Sequence, residues 1–213
     1  MSDTSLPAAA ADVESAVRLT TATLGQAQDM DWMAWDAKAG PLEWTCWETV
    51  EHIADNLFFH AAQLGPRIPA TDRSVPFAWA RHRPGGPGLV IFADRAAGPA
   101  GLVQVVDACG ALLVAMAATT PPEVRAYHDI GVLDTGGFAA ISIAETLLHM
   151  HDVAAGLGLA WAPPAGLCGR VLDRFFPDAP ADTGRWETLL WATGRAELPG
   201  RPRRTEWDYH GAP

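Results

Sequence analysis

The hydrophobic positions of the chain recur at helical spacing in four long segments. These segments cover residues 11–29, 45–64, 102–118 and 138–156. The third is apolar around most of its circumference, which predicts a helix buried on most sides. No run of alternating β-branched residues is present, so the pattern predicts an all-α protein. The second segment has a continuous apolar stripe at Trp47, Val50, Ala54, Leu57, Ala61 and Leu64.

Start and stop signals support two of these helices. Thr45 and Glu48 have the S/T-x-x-E spacing of a capping box, which predicts that the second helix starts at Thr45. Gly156 or Gly158 follows the fourth apolar segment and is expected to end that helix in a left-handed conformation. The fourth helix therefore has a predicted C-terminal end.

Long connections separate the helices. Residues 65–99 are crowded with Pro, Gly and Arg and are expected to form a long structured loop. Two shorter helical patterns follow, at residues 165–176 and 184–193. Four long helices with long connections indicate a four-helix bundle over residues 11–160. Residues 161–213 are too few for a core of their own, so we expect a short helical extension and tail that pack on the bundle.

The predicted second and fourth helices carry the same polar pattern, E-x-x-x-H-x-x-D. Its members are Glu48, His52 and Asp55 in one copy and Glu145, His149 and Asp152 in the other. Residues three and four apart lie on one face of a helix. One copy alone is more often an ordinary solvent-facing pair, but two copies on neighbouring helices favour a metal site built between them. Glu145 lies in an apolar segment, where a carboxylate needs a metal or a close hydrogen-bond partner.

The remaining candidates have weaker patterns. Asp55 and Asp152 are either acceptors for metal-ligating imidazoles or solvent-facing residues, and the sequence does not separate these roles. His151 is two residues from His149 and should point away from its face. The other histidines, His60, His82, His128 and His210, have no partner at a useful spacing. The three cysteines are far apart and are interpreted as small buried hydrophobes.

The composition of the chain limits which binding partners and which cellular compartment we expect. The formal net charge of −10 argues against binding to nucleic acid, and the longest apolar runs are expected to be too interrupted to span a membrane. The N-terminal residues 1–11 lack the basic start and apolar stretch of a secretory signal, so we expect a cytoplasmic protein. The abundance of Ala, Gly, Pro and Arg over Lys indicates a GC-rich genome.

Two segments carry a resemblance to a known family. Residues 44–54, WTCWETVEHIA, and 145–152, ETLLHMHD, resemble the DinB-like superfamily, and within it the N-terminal domain of mycothiol-dependent maleylpyruvate isomerases. The resemblance spans residues 11–160 and implies a four-helix bundle that holds one divalent metal, usually zinc. The implied ligands are His52, Glu145 and His149. It also implies use of a low-molecular-weight thiol, and a GC-rich source suits mycothiol. The isomerases carry a further C-terminal domain, whereas residues 161–213 follow the matching region here.

Three functions remain open at this point. The first is a metal-dependent enzyme that uses a thiol for S-transfer or isomerisation of a small electrophile, with Arg81, Arg83 and Arg195 as candidates for binding the cofactor or an acidic substrate. The second is a non-catalytic metal- or ligand-binding protein, with a site closed by a fourth protein ligand or a pocket too small for a thiol. The third is a dinuclear carboxylate site that includes Glu48, although Glu-x-x-x-His differs from the usual di-iron spacing. We also consider a homodimer as the assembly.

Overall fold

The computed structural model describes residues 6–210. The first five positions of the N-terminal stretch and the last three of the predicted C-terminal extension lie outside the described residues. The described part is mostly helical and contains seven α-helices and one two-stranded sheet. In chain order these elements are α1 (Ala8–Leu24), α2 (Trp32–Trp35), α3 (Cys46–Leu64), α4 (Gly98–Thr119), β1 (Arg125–His128), β2 (Gly131–Asp134), α5 (Thr135–Leu157), α6 (Ala165–Phe175) and α7 (Arg185–Ala192).

The structure confirms the predicted start of α3 and the predicted end of α5. At the start of α3, the Thr45 hydroxyl accepts a hydrogen bond from the Glu48 backbone N–H at 3.1 Å, and the Glu48 carboxylate accepts one from the Thr45 N–H at 2.9 Å. This reciprocal pair is a capping box. At the end of α5, Gly158 is left-handed with φ of 68°. Both helices therefore have well-defined ends.

The four long helices enclose the main core. Helix α3 packs against α4 and α5, and α1 packs against the same two helices. The whole apolar stripe predicted for α3 is buried. Helix α6 packs on α5 and α7, and the C-terminal segment returns to this side of the molecule, where the His210 backbone N–H donates to the Phe175 carbonyl. These contacts bring residues distant in sequence close to α5.

The prediction of an all-α protein is wrong at one place. Strands β1 and β2 form an antiparallel hairpin in which Arg125 pairs with Asp134 and His128 with Gly131. Each strand has four residues of which only one is buried, so the sequence shows no alternation of apolar and polar positions there. The Tyr127 N–H also donates to the carbonyl of Ala70, so the hairpin is tied to the long loop.

Helix α4 is less buried than its composition predicts. One side faces the core through Leu102, Val106, Cys109 and Leu113. Other positions around it are open to solvent, and Leu112 is 51% exposed. The prediction of burial on most sides is therefore wrong. Small residues cover much of the exposed side, so the helix presents an apolar surface with few large side chains.

By length and composition, the segment Arg95–Thr119 would be able to cross a membrane. The expectation that the apolar runs are too interrupted for this is wrong for that segment. In its most apolar window, 33% of the residues are buried within the protein. Core helices of globular proteins meet the same criteria, so this is weak evidence for a span.

The loop between α3 and α4 is held by acidic side chains of α3. The Asp55 carboxylate accepts hydrogen bonds from the backbone N–H groups of Val90 and Ile91 at 2.8 and 2.9 Å. Glu51 accepts from the Ala93 N–H at 3.1 Å and lies 2.8 Å from the His82 ring nitrogen. These side chains are almost fully buried, so one face of α3 serves to anchor the loop.

Candidate metal centre

Three predicted ligands lie together between α3 and α5. His52, Glu145 and His149 each offer one ligand atom, and these atoms lie within 4.8 Å of one another. Glu145 Oε2 is 3.1 Å from His149 Nε2, and the His52 and His149 rings are 4.9 Å apart between centroids. The positions of Glu145 and His149, four residues apart on α5, place both side chains on the face that meets α3.

The charges of this cluster depend on its burial. Burial alone would raise the pKa of Glu145, but the hydrogen bond and charge of His149, the charge of His52 and a hydrogen bond from Tyr209 together lower it to about 2. Burial lowers the pKa of His52 to about 4, with a further contribution from His149 that Glu145 partly opposes. At neutral pH the cluster therefore contains an ionised carboxylate and a neutral His52 imidazole.

Trp44 covers both imidazoles. Its ring lies 4.9 Å from the His52 ring and is stacked on the His149 ring at 5.9 Å with an interplanar angle of 29°. The indole N–H donates to the carbonyl of Gly85 at 3.2 Å, which fixes the ring against the long loop. Trp44 thus forms one wall of the cluster. Trp44 was not among the predicted candidates.

Two further side chains touch the cluster. Asn56 Nδ2 lies 3.2 Å from His52 Nε2 and 3.5 Å from Glu145 Oε2. The hydroxyl of Tyr209 donates to Glu145 Oε1 at 3.0 Å. Neither residue was among the predicted candidates. Asn56 was detectable in principle, because it lies one turn after His52 on the same face of α3. No sequence signal connects Tyr209 to Glu145.

The two aspartates of the repeated pattern have different roles. Asp152 is 1% exposed in its side chain, and its Oδ2 lies 3.8 Å from His149 Nδ1 and 2.9 Å from Nη2 of Arg195. Asp152 is therefore next to a predicted ligand. Asp55 instead anchors the loop, as described above. The Nδ1 atoms of His52 and His149 are both buried and have no hydrogen-bond partner among the described residues.

The other predicted candidates lie away from the three ligands. Glu48 is engaged by Arg83, whose Nε and Nη2 donate to its two carboxylate oxygens at 2.8 and 2.7 Å. This pairing argues against the dinuclear site that included Glu48. Arg81 donates to the Gly86 carbonyl within the same loop, at 2.6 Å. His151 packs on the ring of Trp186, outside the cluster.

A second histidine cluster lies further along α3 and α5, and sequence analysis missed it. The Ser142 hydroxyl donates to the Phe138 carbonyl at 2.7 Å, so it accepts a hydrogen bond from His60 Nδ1, also at 2.7 Å. The Ile130 N–H donates to His128 Nδ1 at 3.2 Å, so His128 Nε2 carries the proton and donates to His60 Nε2 at 3.2 Å. Both rings are neutral in this arrangement, and they connect the hairpin to the core.

Comparisons with known proteins found no relative of this chain. The chain matches no family model, no curated protein and no solved structure at a significant level. The chemistry of the cluster must therefore be argued from its own residues.

Proposed function

We propose that this protein binds one divalent metal ion, with zinc as the first candidate, through His52, Glu145 and His149. The observation that carries the proposal is the convergence of three ligand atoms from two packed helices within 4.8 Å. Ligand atoms around a tetrahedral zinc lie about 3.3 Å apart, given bonds of about 2.0–2.1 Å. The 3.1 Å separation of Glu145 Oε2 and His149 Nε2 is close to this value.

The donor set fits the proposed metal in type and in protonation. Two imidazoles and one carboxylate are common zinc ligands, whereas calcium and magnesium prefer oxygen alone. Metal ligands must be unprotonated, and the lowered pKa values of Glu145 and His52 meet this condition at neutral pH. The Asp152 carboxylate lies 3.8 Å from His149 Nδ1, which is longer than a hydrogen bond but places a negative charge beside the imidazole of a proposed ligand.

We further propose that the protein uses this metal to activate a small thiol for S-transfer or isomerisation of an electrophilic substrate. Three protein ligands leave one position open, and a zinc ion there would lower the pKa of a bound thiol. Mycothiol is the first thiol to test. The chain itself contributes Trp44, which packs on the two imidazoles, and Tyr209, which fixes one oxygen of Glu145.

The framework for this proposal is a DinB-like four-helix bundle made by α1, α3, α4 and α5. The support for it is the packing of α3 and α1 each against both α4 and α5. In this interpretation the C-terminal segment is an extension that completes the site, because Tyr209 and Arg195 both lie on it and both contact acidic groups of α5. No second domain is needed to assemble the cluster.

The alternative function is a non-catalytic metal-binding protein, and Asn56 favours it. The Asn56 amide lies against both His52 and Glu145, and the nitrogen and oxygen of an amide are interchangeable by rotation. With the oxygen turned inward, Asn56 would act as a fourth ligand and close the site. A closed site would bind metal without binding a thiol, so the two functions differ in a measurable property.

Metal content and cobalt spectroscopy test the proposal. Protein purified without an affinity tag should contain one metal per chain, and Glu145→Gln should remove it, whereas His151→Ala on the same helix should retain it. No metal after zinc reconstitution would exclude the site. In the cobalt-substituted protein, addition of millimolar mycothiol should produce a sulfur-to-metal charge-transfer band. Absence of that band with the metal in place would leave the binding protein as the better interpretation.

A further inference from the structure

A cavity of about 610 Å³ lies beside the candidate metal centre, between α5 and the C-terminal segment. Its lining includes Asp152 and Arg195 together with Arg203, Arg204 and Trp207. A cavity of this size accommodates a small molecule. Because Asp152 also lies against His149, an occupant of the cavity would be one side chain away from a proposed metal ligand.

The cavity carries uncompensated positive charge. The Arg195 charge is balanced by Asp152. The Arg203 guanidinium donates to the neutral carbonyl of Gly194, and the Arg204 guanidinium lies 5.4 Å from the centre of the Trp191 ring. Within residues 6–210, neither Arg203 nor Arg204 forms an ion pair with a carboxylate. The protein has a net charge of −10, so two unpaired arginines at one cavity are a local reversal of its overall charge.

The backbone around these arginines is closely packed. Gly194 is left-handed with φ of 67°, and a Cβ atom there would lie 2.7 Å from the Arg204 carbonyl oxygen. The Trp191 indole N–H donates to the Pro202 carbonyl at 3.0 Å. These contacts hold the segment that carries both arginines against the end of α7. The cavity is therefore formed before any ligand arrives, which reduces the entropy cost of binding.

We propose that this cavity binds a small anionic molecule through its carboxylate or phosphate group, held by Arg203 and Arg204. Arginine recognises such planar or multi-oxygen anions through paired N–H donors. The apolar part of the ligand would contact Leu42 and Trp207, which also line the cavity. Resting on the proposed function, the same cavity is the subsite for an acidic electrophilic substrate of the thiol. The binding itself does not require the metal.

Calorimetric titration of the metal-free protein tests this proposal. Inorganic phosphate and succinate are the two probes, and at least one should bind with a Kd in the millimolar range. The double substitution Arg203→Gln and Arg204→Gln should weaken binding by about 100-fold or more, because it removes the charge-assisted hydrogen bonds of both guanidinium groups to the anion. Arg67→Gln changes an exposed loop arginine that does not line this cavity and should leave the affinity unchanged.

The outcomes of the titration identify the type of ligand or exclude the proposed subsite. Binding of phosphate alone indicates a phosphate-bearing ligand, and binding of succinate alone indicates a carboxylic acid. No binding of either probe, or equal binding by the double variant and the Arg67 control, would overturn the subsite. If the double variant fails to fold by near-ultraviolet circular dichroism, the two single variants replace it, each with a smaller loss expected. Because the titration uses metal-free protein, failure of the metal site leaves this result unaffected.

Discussion

The hydroxyl of Tyr209 donates a 3.0 Å hydrogen bond to Oε1 of Glu145, a residue that precedes it by 64 positions. The other carboxylate oxygen, Oε2, faces His149 and Asn56. Tyr209 therefore separates the functions of the two oxygens of Glu145. One is fixed by the C-terminal segment, and the other remains directed towards the two imidazoles. A metal bound there would be expected to use a single oxygen of Glu145.

Removal of the Tyr209 hydroxyl should weaken metal binding without removing it. Tyr209→Phe keeps the ring and its contacts with Phe175 and Phe176 but deletes the donor to Glu145. We expect zinc affinity to fall by about 10-fold, as is typical when a hydrogen-bond partner of a metal ligand is lost. Competition with a chromophoric chelator measures this change.

The chain offers a matched control for this substitution. Tyr127 is the only other tyrosine in the sequence, and it lies on β1 outside the metal cluster. Tyr127→Phe should leave zinc affinity unchanged. Equal losses in the two variants would show that Tyr209 acts through general stability and that its hydrogen bond to Glu145 has no specific effect on the metal.

The two aspartates of the repeated E-x-x-x-H-x-x-D pattern should respond differently to the same substitution. Asp152→Asn removes the charge that lies 3.8 Å from His149 Nδ1, so zinc affinity should fall by about 10-fold. Asp55→Asn leaves an acceptor oxygen for the N–H groups of Val90 and Ile91 and does not touch the cluster. Its zinc affinity should match that of the wild type within error. A larger loss for Asp55→Asn than for Asp152→Asn would reverse our assignment of the two roles.

The helices and the two copies of the polar pattern were accessible from the sequence because each depends on local periodicity, whereas the choice of His52, Glu145 and His149 within the pattern came from the resemblance to a known family. A capping box at Thr45, an apolar stripe on α3 and a four-residue spacing on α5 all lie within a few turns of one helix. Side chains at facing positions on two packed helices then come into contact once the helices pack. This explains why His52, Glu145 and His149 converge as the pattern suggests.

The features that sequence analysis missed depend on long-range contacts. Tyr209 reaches Glu145 only because the C-terminal segment packs on α6, through the His210 to Phe175 hydrogen bond and adjacent aromatic contacts. His128 meets His60 only because a hairpin with four-residue strands brings it there. The repeated pattern was also misleading at Glu48, since a helix face that carries acidic residues serves equally well to anchor a loop.

The neutral histidine pair predicts a loss of stability in mild acid. Burial, with a smaller contribution from the charge of His128 and an opposing one from Glu145, lowers the pKa of His60 to about 3. The unfolded chain has a histidine pKa near 6.5 and so binds a proton that the folded protein excludes. The contribution of His60 to the free energy of unfolding is therefore fully present above pH 6.5. It falls as the pH decreases towards 3, by about 1–2 kcal/mol between pH 7 and 5.

Urea unfolding of the metal-free protein at pH 7 and 5 measures this effect. His60→Gln removes the titrating group and keeps a hydrogen-bonding side chain, so its stability should fall less over the same interval. His52 and His128 also have lowered pKa values and are present in both proteins, so the difference between the two proteins reports the change at His60 and its contact with His128. Identical losses in the wild type and in His60→Gln would mean that His60 does not carry the pH dependence.

Asn56 decides between an open and a closed metal site. If the fourth position is open to a thiol, Asn56→Ala should retain the metal and the cobalt–thiolate band, because the amide contributes only hydrogen bonds to His52 and Glu145. If the amide oxygen of Asn56 is the fourth ligand, the wild type should show no band, and Asn56→Ala should bind metal more weakly and gain the band once metal is supplied in excess. We expect the first pattern, because the proposed thiol chemistry requires an open fourth position on the metal. Absorption spectra of the two cobalt-loaded proteins, recorded with and without mycothiol, separate the patterns directly, because a band present only in the variant is compatible with the closed site alone.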